Sequence, residues 1–231
     1  MKNIAIIPAR AGSKRITKKN ILDFYGKPMI GWTIEAAINS GVFTKVLVST
    51  DCEEIASISR GFGAEVPFLR ENHCDDHSPV SLATYQAVIE AEKYWNEEYG
   101  TITQLMANCP MRGPDEISIF FDEFLKREKD FLLSCFKFGW MNPWWSFELD
   151  TDGNHQYKNP ESMKMRSQDL KDLFCPSGAI WVAKTEAFKE AKSFRGHDHG
   201  YCEIDWTSAV DIDDMHDLEF AKAVYLLKKN R

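Results

Sequence analysis

The sequence predicts an α/β fold with a mostly parallel sheet, and three features point to it. Ile4-Ala5-Ile6-Ile7 and Val46-Leu47-Val48 are short apolar runs without alternation, as in strands buried on both faces. Between them, Met29 to Ile38 places Ile30, Ile34, Ala37 and Ile38 at helical spacing and stops at Ser40-Gly41, a common helix exit. Segments of these two kinds then alternate along most of the 231 residues, which is the pattern of strand–helix–strand units.

The elements follow in order. Pro8 ends the first strand and Ser49-Thr50-Asp51 the second. Asp51 with Glu54 three residues on resembles a capping box, predicting a helix to about Arg60, before Gly61 and Gly63. A helix is expected near Val80 to Trp95, a strand near Ile102 to Met106, a helix from Asp115 to Lys126 behind Pro114, and a strand from Phe131 to Cys135. The rhythm fails between Phe136 and Pro176, where Trp140, Trp144, Trp145 and Asn142-Pro143 precede a hairpin turn at Asp150 to Asn154. Residues 136–176 therefore read as an arm inserted into one domain spanning 1–231, its tryptophans better suited to a subunit contact than to stacking on a ligand. Ala179 to Val182 resumes the core as a strand. Val210-Asp211-Ile212-Asp213 alternates like another, and a last helix runs from about Asp214 to Lys228.

Composition removes several classes of function. With 44% hydrophobic residues and 13% aromatic, the chain can bury one sizeable core. No apolar run approaches the roughly 18 residues of a bilayer span, and the start lacks the flanks of a secretory signal, so no membrane partner is expected. Six cysteines, never in CxxC spacing, fit reduced thiols in a cytoplasm. A net charge of -7 argues against a nucleic-acid surface. That average hides a segregation: Lys2, Arg10, Lys14, Arg15, Lys18 and Lys19 meet no acid in residues 1–22, whereas Glu203 to Glu219 holds seven acids and no Lys or Arg.

The basic segment, Pro8-Ala9-Arg10-Ala11-Gly12-Ser13-Lys14-Arg15, follows the first strand, and open parallel sheets bind ligands at the carboxyl ends of their strands. Gly12 would let backbone N–H groups approach phosphate oxygens, while Arg10 and Lys14 could neutralise charge that builds during phosphoryl transfer. It is neither a P-loop nor a GxGxxG turn, and the bland alternative is a solvated basic turn. At the other end, Asp211 and Asp213 would share one face of a strand and could hold Mg2+ through hard oxygens; alternatively, Asp213 caps the final helix and Asp211 is merely exposed. His73-Cys74-Asp75-Asp76-His77 lacks zinc-site spacing and reads as a polar loop, as does His197-Asp198-His199-Gly200, placed near the substrate side. No nucleophile elbow or triad signature is present, nor an evident general base.

Ile6-Ile7-Pro8-Ala9-Arg10-Ala11-Gly12-Ser13-Lys14-Arg15-Ile16-Thr17-Lys18-Lys19-Asn20-Ile21 and Gly26-Lys27-Pro28-Met29-Ile30 closely resemble the signature of the acylneuraminate cytidylyltransferases, or CMP-sialate synthetases. The resemblance runs in order through Val48-Ser49-Thr50-Asp51, Phe68-Leu69-Arg70, Cys109-Pro110-Met111-Arg112, Gln168-Asp169-Leu170, Ser177-Gly178-Ala179-Ile180 and Val210-Asp211-Ile212-Asp213. It implies a three-layer, nucleotidyltransferase-type (Rossmann-like) fold that dimerises through the arm. It also implies Mg2+-dependent transfer of CMP from CTP to a nonulosonic sugar acid, or to an eight-carbon 3-deoxy-2-ketoaldonic acid, with release of pyrophosphate.

Position by position, the resemblance implies that Arg10 and Lys14 hold the triphosphate and Gly12 and Ser13 offer backbone contacts. Lys19 and Asn20 would line the phosphate and ribose side, Arg70 would read the cytosine carbonyl, and Ser81 would touch ribose or base. Asp211 and Asp213 would bind metal, with Arg10, Lys14 and Asp211 as the catalytic set. On the sugar side the chain departs from the family: Met106 stands where a sugar-contacting Gln is usual and Ser167 where an Arg is usual, leaving Gln104, Arg166 and Gln168 as candidates, and Ser177 replaces a customary Asn.

Overall fold

The computed structural model describes residues 1–73 and 78–229, so Cys74, Asp75, Asp76 and His77 of the polar loop lie outside the described residues. The elements are β1 (Asn3–Pro8), α1 (Met29–Asn39), β2 (Lys45–Ser49), α2 (Glu53–Gly61), α3 (Val80–Trp95), β3 (Thr101–Gln104), α4 (Pro114–Lys126) and β4 (Phe131–Lys137). The arm carries β5 (Phe147–Leu149) and β6 (His155–Tyr157), and the chain returns through β7 (Phe174–Lys184), α5 (Thr185–Ala191), β8 (His199–Glu203) and α6 (Met215–Lys229).

One six-stranded sheet has the order β2-β1-β3-β7-β4-β8. Every strand in it points the same way except β7, which pairs antiparallel with both β3 and β4. The unalternating runs explain the layers. Along β1, Ala5 and Ile7 face a core shared with α1, α2 and α4, whereas Ile4 and Ile6 face one shared with α3 and α5. With both faces covered, each position of the strand gains from burial, at about 25 cal/mol per Å2 of apolar surface removed from water. A third cluster, holding Ile16, Phe24, Met29, Ile212 and Leu218, packs α6 and the loop after β1 together beyond the strand ends. Among the described residues no helix is long and apolar enough to cross a membrane.

Three local expectations are corrected. Asp51 does not cap α2: the N-cap is Cys52, with no side-chain cap hydrogen bond, and Asp51 Oδ1 instead accepts from Ala11 N at 2.8 Å. Val210 to Asp213 has no regular structure and joins no ladder. Its Ile212 N donates to Asn108 O at 3.0 Å, so a tertiary contact shapes it, which alternation alone does not distinguish from a sheet partner. His199-Gly200 begins β8, whose hydrophobic signal is weak because it is an edge strand with only Cys202 buried.

Candidate active site

A cleft of about 530 Å3 opens at the carboxyl ends of β1 and β3, where the loop after β1 faces the segment before α6. The loop has no regular structure, and its shape comes from hydrogen bonds to its neighbours. Ala9 N donates to Ser49 O at 2.9 Å and Ala11 N to Asp51, so the chain leaves β1 tied to the end of β2. Asn20 Nδ2 donates to Arg10 O at 3.0 Å, pinning the start of the loop to its end. Lys18 has φ 54°, in the left-handed region that is costly for a non-glycine residue, and its Nζ reaches both carboxylate oxygens of Glu54 on α2 at 2.9 and 2.7 Å. Ile16 is buried as the anchor beneath.

Much of the rest of the loop faces the cleft. Arg10, Gly12, Ser13, Lys14, Lys19 and Asn20 all line it, as expected, and Arg15 joins them. No atom stands within 4 Å of where a Cβ on Gly12 would be, so this glycine leaves open room on the cleft side rather than relieving a clash within the chain. Arg70 also lines the cleft. It is 6% exposed, anchored through its N–H to Thr50 O at 2.7 Å and through its guanidinium to Ser49 O at 3.3 Å. Arg10, Lys14, Arg15, Lys19 and Arg70 thus set five cations against two acids, Asp211 and Asp213, in one concave space. That excess suits a ligand with several negative charges.

The two acids differ electrically. Burial and then the neighbouring Asp213 push the Asp211 carboxyl up to about 6, despite the solvent that reaches it from the cleft. Burial works against Asp213 as well, but its hydrogen bonds from Lys19 Nζ and Arg15 NH2, each at 2.8 Å, outweigh it and hold the carboxyl below its ordinary value. Asn108 Nδ2 donates to Asp211 Oδ1, to Asp213 Oδ1 at 3.2 Å and to Ile212 O at 3.2 Å. Asp213 does not cap α6 through Asp214 or its neighbours; Asp214 Oδ1 takes His216 N and Asp217 N, and Asp217 Oδ2 takes Asp213 N.

Two adjacent carboxylates of which one lacks a full counter-charge fit a divalent cation. Among the described residues no group of three or more His, Cys, Asp or Glu is placed to hold a metal. The pair therefore suits a cation that keeps waters or ligand oxygens in its remaining positions, as Mg2+ does, and not a caged zinc.

Several expected contacts are absent from the cleft. Gln104 is fully buried, with Thr84 Oγ1 donating to its Oε1 at 2.7 Å and its Nε2 lying 3.7 Å from Met106 Sδ. It shares a strand face with Met106 but sits one layer deeper, and Met106 lines the cleft in its place. Ser81 is buried in the first turn of α3, while Val80 and Ser78 are the lining residues there. Arg166 and Gln168 are exposed on the arm, where Arg166 Nε pairs with Asp169 at 2.8 Å, and neither lines this cleft. His199 pairs in register with Phe131 at the start of β4, the end of the sheet opposite the cleft, so the second histidine loop is not on the substrate side.

His73, Asn108 and Arg15 also line the cleft, although no role was assigned to them. For Asn108 a signal existed, since it follows β3 at a strand's carboxyl end; His73 opens the run read as a polar loop. Gly178 packs closely against two of the cleft residues: a Cβ there would stand 3.0 Å from Met106 Cγ and 3.7 Å from Asp211 Oδ2.

A family model described as cytidylyltransferase matches residues 4–226. The chain is 35% identical over 226 residues to a pseudaminic acid cytidylyltransferase of Campylobacter jejuni, covering 97% of each. It is 29% identical over 230 residues to an N-acylneuraminate cytidylyltransferase of Escherichia coli, covering 100% of this chain and 53% of that one. Among solved structures, a CMP:2-keto-3-deoxy-manno-octonic acid synthetase complexed with CTP superposes with a TM-score of 0.72 at 19% identity, covering 99% of this chain and 100% of that one, a likeness of fold.

Proposed function

The chain belongs to the cytidylyltransferase family, that of the CMP-sialate synthetases, and from that premise we propose that it transfers CMP from CTP to a nonulosonic sugar acid and releases pyrophosphate. The observation that carries this reading is the single cleft in which a five-cation wall faces the Asp211/Asp213 pair. The hydroxyl on the anomeric carbon of the sugar acid attacks the α-phosphorus of CTP in line. A new oxygen–phosphorus bond forms, the bond to pyrophosphate breaks, and the hydroxyl proton passes to solvent. Arg10 and Lys14 bind the triphosphate and stabilise the charge that collects on the leaving group, Arg as a planar fork and Lys as a point charge. Gly12 and Ser13 bring backbone close to it, and Arg70 meets the cytosine.

Asp211 and Asp213 would hold Mg2+. Bound there, the cation supplies further neutralisation of phosphate oxygens. Lys19 and Arg15 face the same phosphates across Asp213. The whole of 1–231 acts as one cytidylyltransferase domain, working in the cytoplasm as a homodimer. The arm supports the dimer reading through exposed Trp140, Met141, Phe147 and Leu149, an apolar group unusual for a free surface.

Pyrophosphate release with Mg2+ tests the proposal across CTP, UTP, ATP and GTP, each against neuraminic, legionaminic, pseudaminic and eight-carbon sugar acids. Release with CTP and a nine-carbon acid is expected. CTP binding without release from any acid would make the chain a silent binder, and release only with the eight-carbon acid would move it to the other substrate class. Within the same assay, Asn20→Ala is expected to lower kcat/KM for CTP about tenfold with little change in Tm. It frees the carbonyl of Arg10 and so loosens the reach of that guanidinium, an orientation effect.

A further inference from the structure

We infer that Asn108 is a positioning residue for the acidic pair: its amide holds Asp211 and Asp213 at a fixed separation before any cation arrives, and so sets the affinity for the divalent cation. The inference rests on assigning that pair to a cation. Asn108 follows β3, is 4% exposed and lies in the cleft wall. Its two N–H bonds are spread over three acceptors, Asp211 Oδ1, Asp213 Oδ1 and Ile212 O, and its backbone carbonyl accepts from Ile212 N. Side chain and backbone of one residue therefore grip the acidic segment on both sides of Ile212.

The orientation of the amide is itself informative. Asn108 Oδ1 is buried and has no hydrogen-bond partner, an arrangement that costs free energy. Turning the amide over would give the oxygen no better neighbour and would aim it at two carboxylates. The donor end is thus committed to the acids at the expense of the acceptor end. A neutral donor between two carboxylates draws them together without competing as a full charge would, unlike Lys19 and Arg15 on Asp213. Groups that orient metal ligands from behind commonly affect metal affinity by 10–100-fold.

The test is Mn2+ binding, followed by electron paramagnetic resonance of free Mn2+, to the wild-type protein and to Asn108→Ala and Asn108→Ser, each with and without CTP. Asn108→Ala is expected to bind Mn2+ at least about tenfold more weakly, and Asn108→Ser, with a single shorter donor, several-fold more weakly. CTP affinity in EDTA should stay within about twofold of wild type. Should the alanine variant not fold, the serine variant carries the test, with melting in EDTA as the check on folding. A purely structural asparagine would lower Tm and leave the Mn2+ affinity of the folded protein unchanged; an affinity unchanged or tighter in folded variants overturns the inference. Failure of the wild-type protein to bind Mn2+ in either condition overturns the cation assignment itself, and the inference with it.

Discussion

Replacing Asp211 with asparagine is expected to cut pyrophosphate release at least about a hundredfold while raising the melting temperature of the metal-free protein at pH 7.5. The two effects have one source. Asp211 carries its charge at a site where burial and Asp213 both disfavour it, and that cost is returned only when a cation binds. Asparagine keeps the shape and can still accept from Asn108, so the fold persists without the charge the reaction needs. The pH dependence follows from linkage. A carboxyl whose folded pKa stands near 6, above its ordinary 3.8, favours the native state below the lower value, and this contribution is lost as pH rises through the higher one. The variant should therefore melt higher than wild type at pH 7.5 and at about the same temperature near pH 4. Discounted for solvent reaching the carboxylate, the gain is of order 1 kcal/mol, or roughly 2–4 °C. Scanning calorimetry in EDTA at both pH values measures it, and a variant less stable than wild type at pH 7.5 would contradict the account.

Replacing Arg10 with alanine should lower kcat by about 10²–10³ and leave the melting temperature nearly unchanged. The guanidinium faces the cleft, whereas the loop is held by groups the substitution leaves alone: the Arg10 carbonyl on Asn20, Ala11 N on Asp51 and buried Ile16 below. Arg10→Lys should recover part of the loss, because it restores charge without the planar fork. Steady-state kinetics with saturating CTP separates the two cases. Loss confined to KM would place Arg10 in ground-state binding alone.

The fold was legible wherever burial dictates residue type. The runs at Ile4 to Ile7 and Val46 to Val48 and the spacing in Met29 to Ile38 correspond to β1, β2 and α1, because two covered faces demand continuous apolar strands and one covered face demands a helical stripe. β8 escaped notice as an edge strand whose surroundings are half solvent, and the acidic segment looked like a strand because its apolar positions answer to the cluster beneath the loop after β1 instead of a sheet.

In the candidate site, the basic loop and the acidic pair were legible from charge segregation and from the family resemblance. Gln104 was not, since a strand's two-residue period gives the face of a side chain and says nothing of its depth. Arg166 and Gln168 belong to the arm, whose position depends on tertiary contacts that no local pattern encodes. Asp51 illustrates the same point, reading as a cap while its carboxylate serves the loop after β1.

The ion pairs from Arg15 and Lys19 to Asp213 join residues 198 and 194 positions apart. At a ribosome adding roughly 5–20 residues per second, the basic loop leaves the exit tunnel about 10–40 s before its acidic counterpart. During that interval Arg15 and Lys19 lack the acid they pair with in the folded chain. Arg15 and Lys19 can meet Asp213 only once that segment has emerged, so assembly of the cleft is a late step, after β1 to β8 have been made.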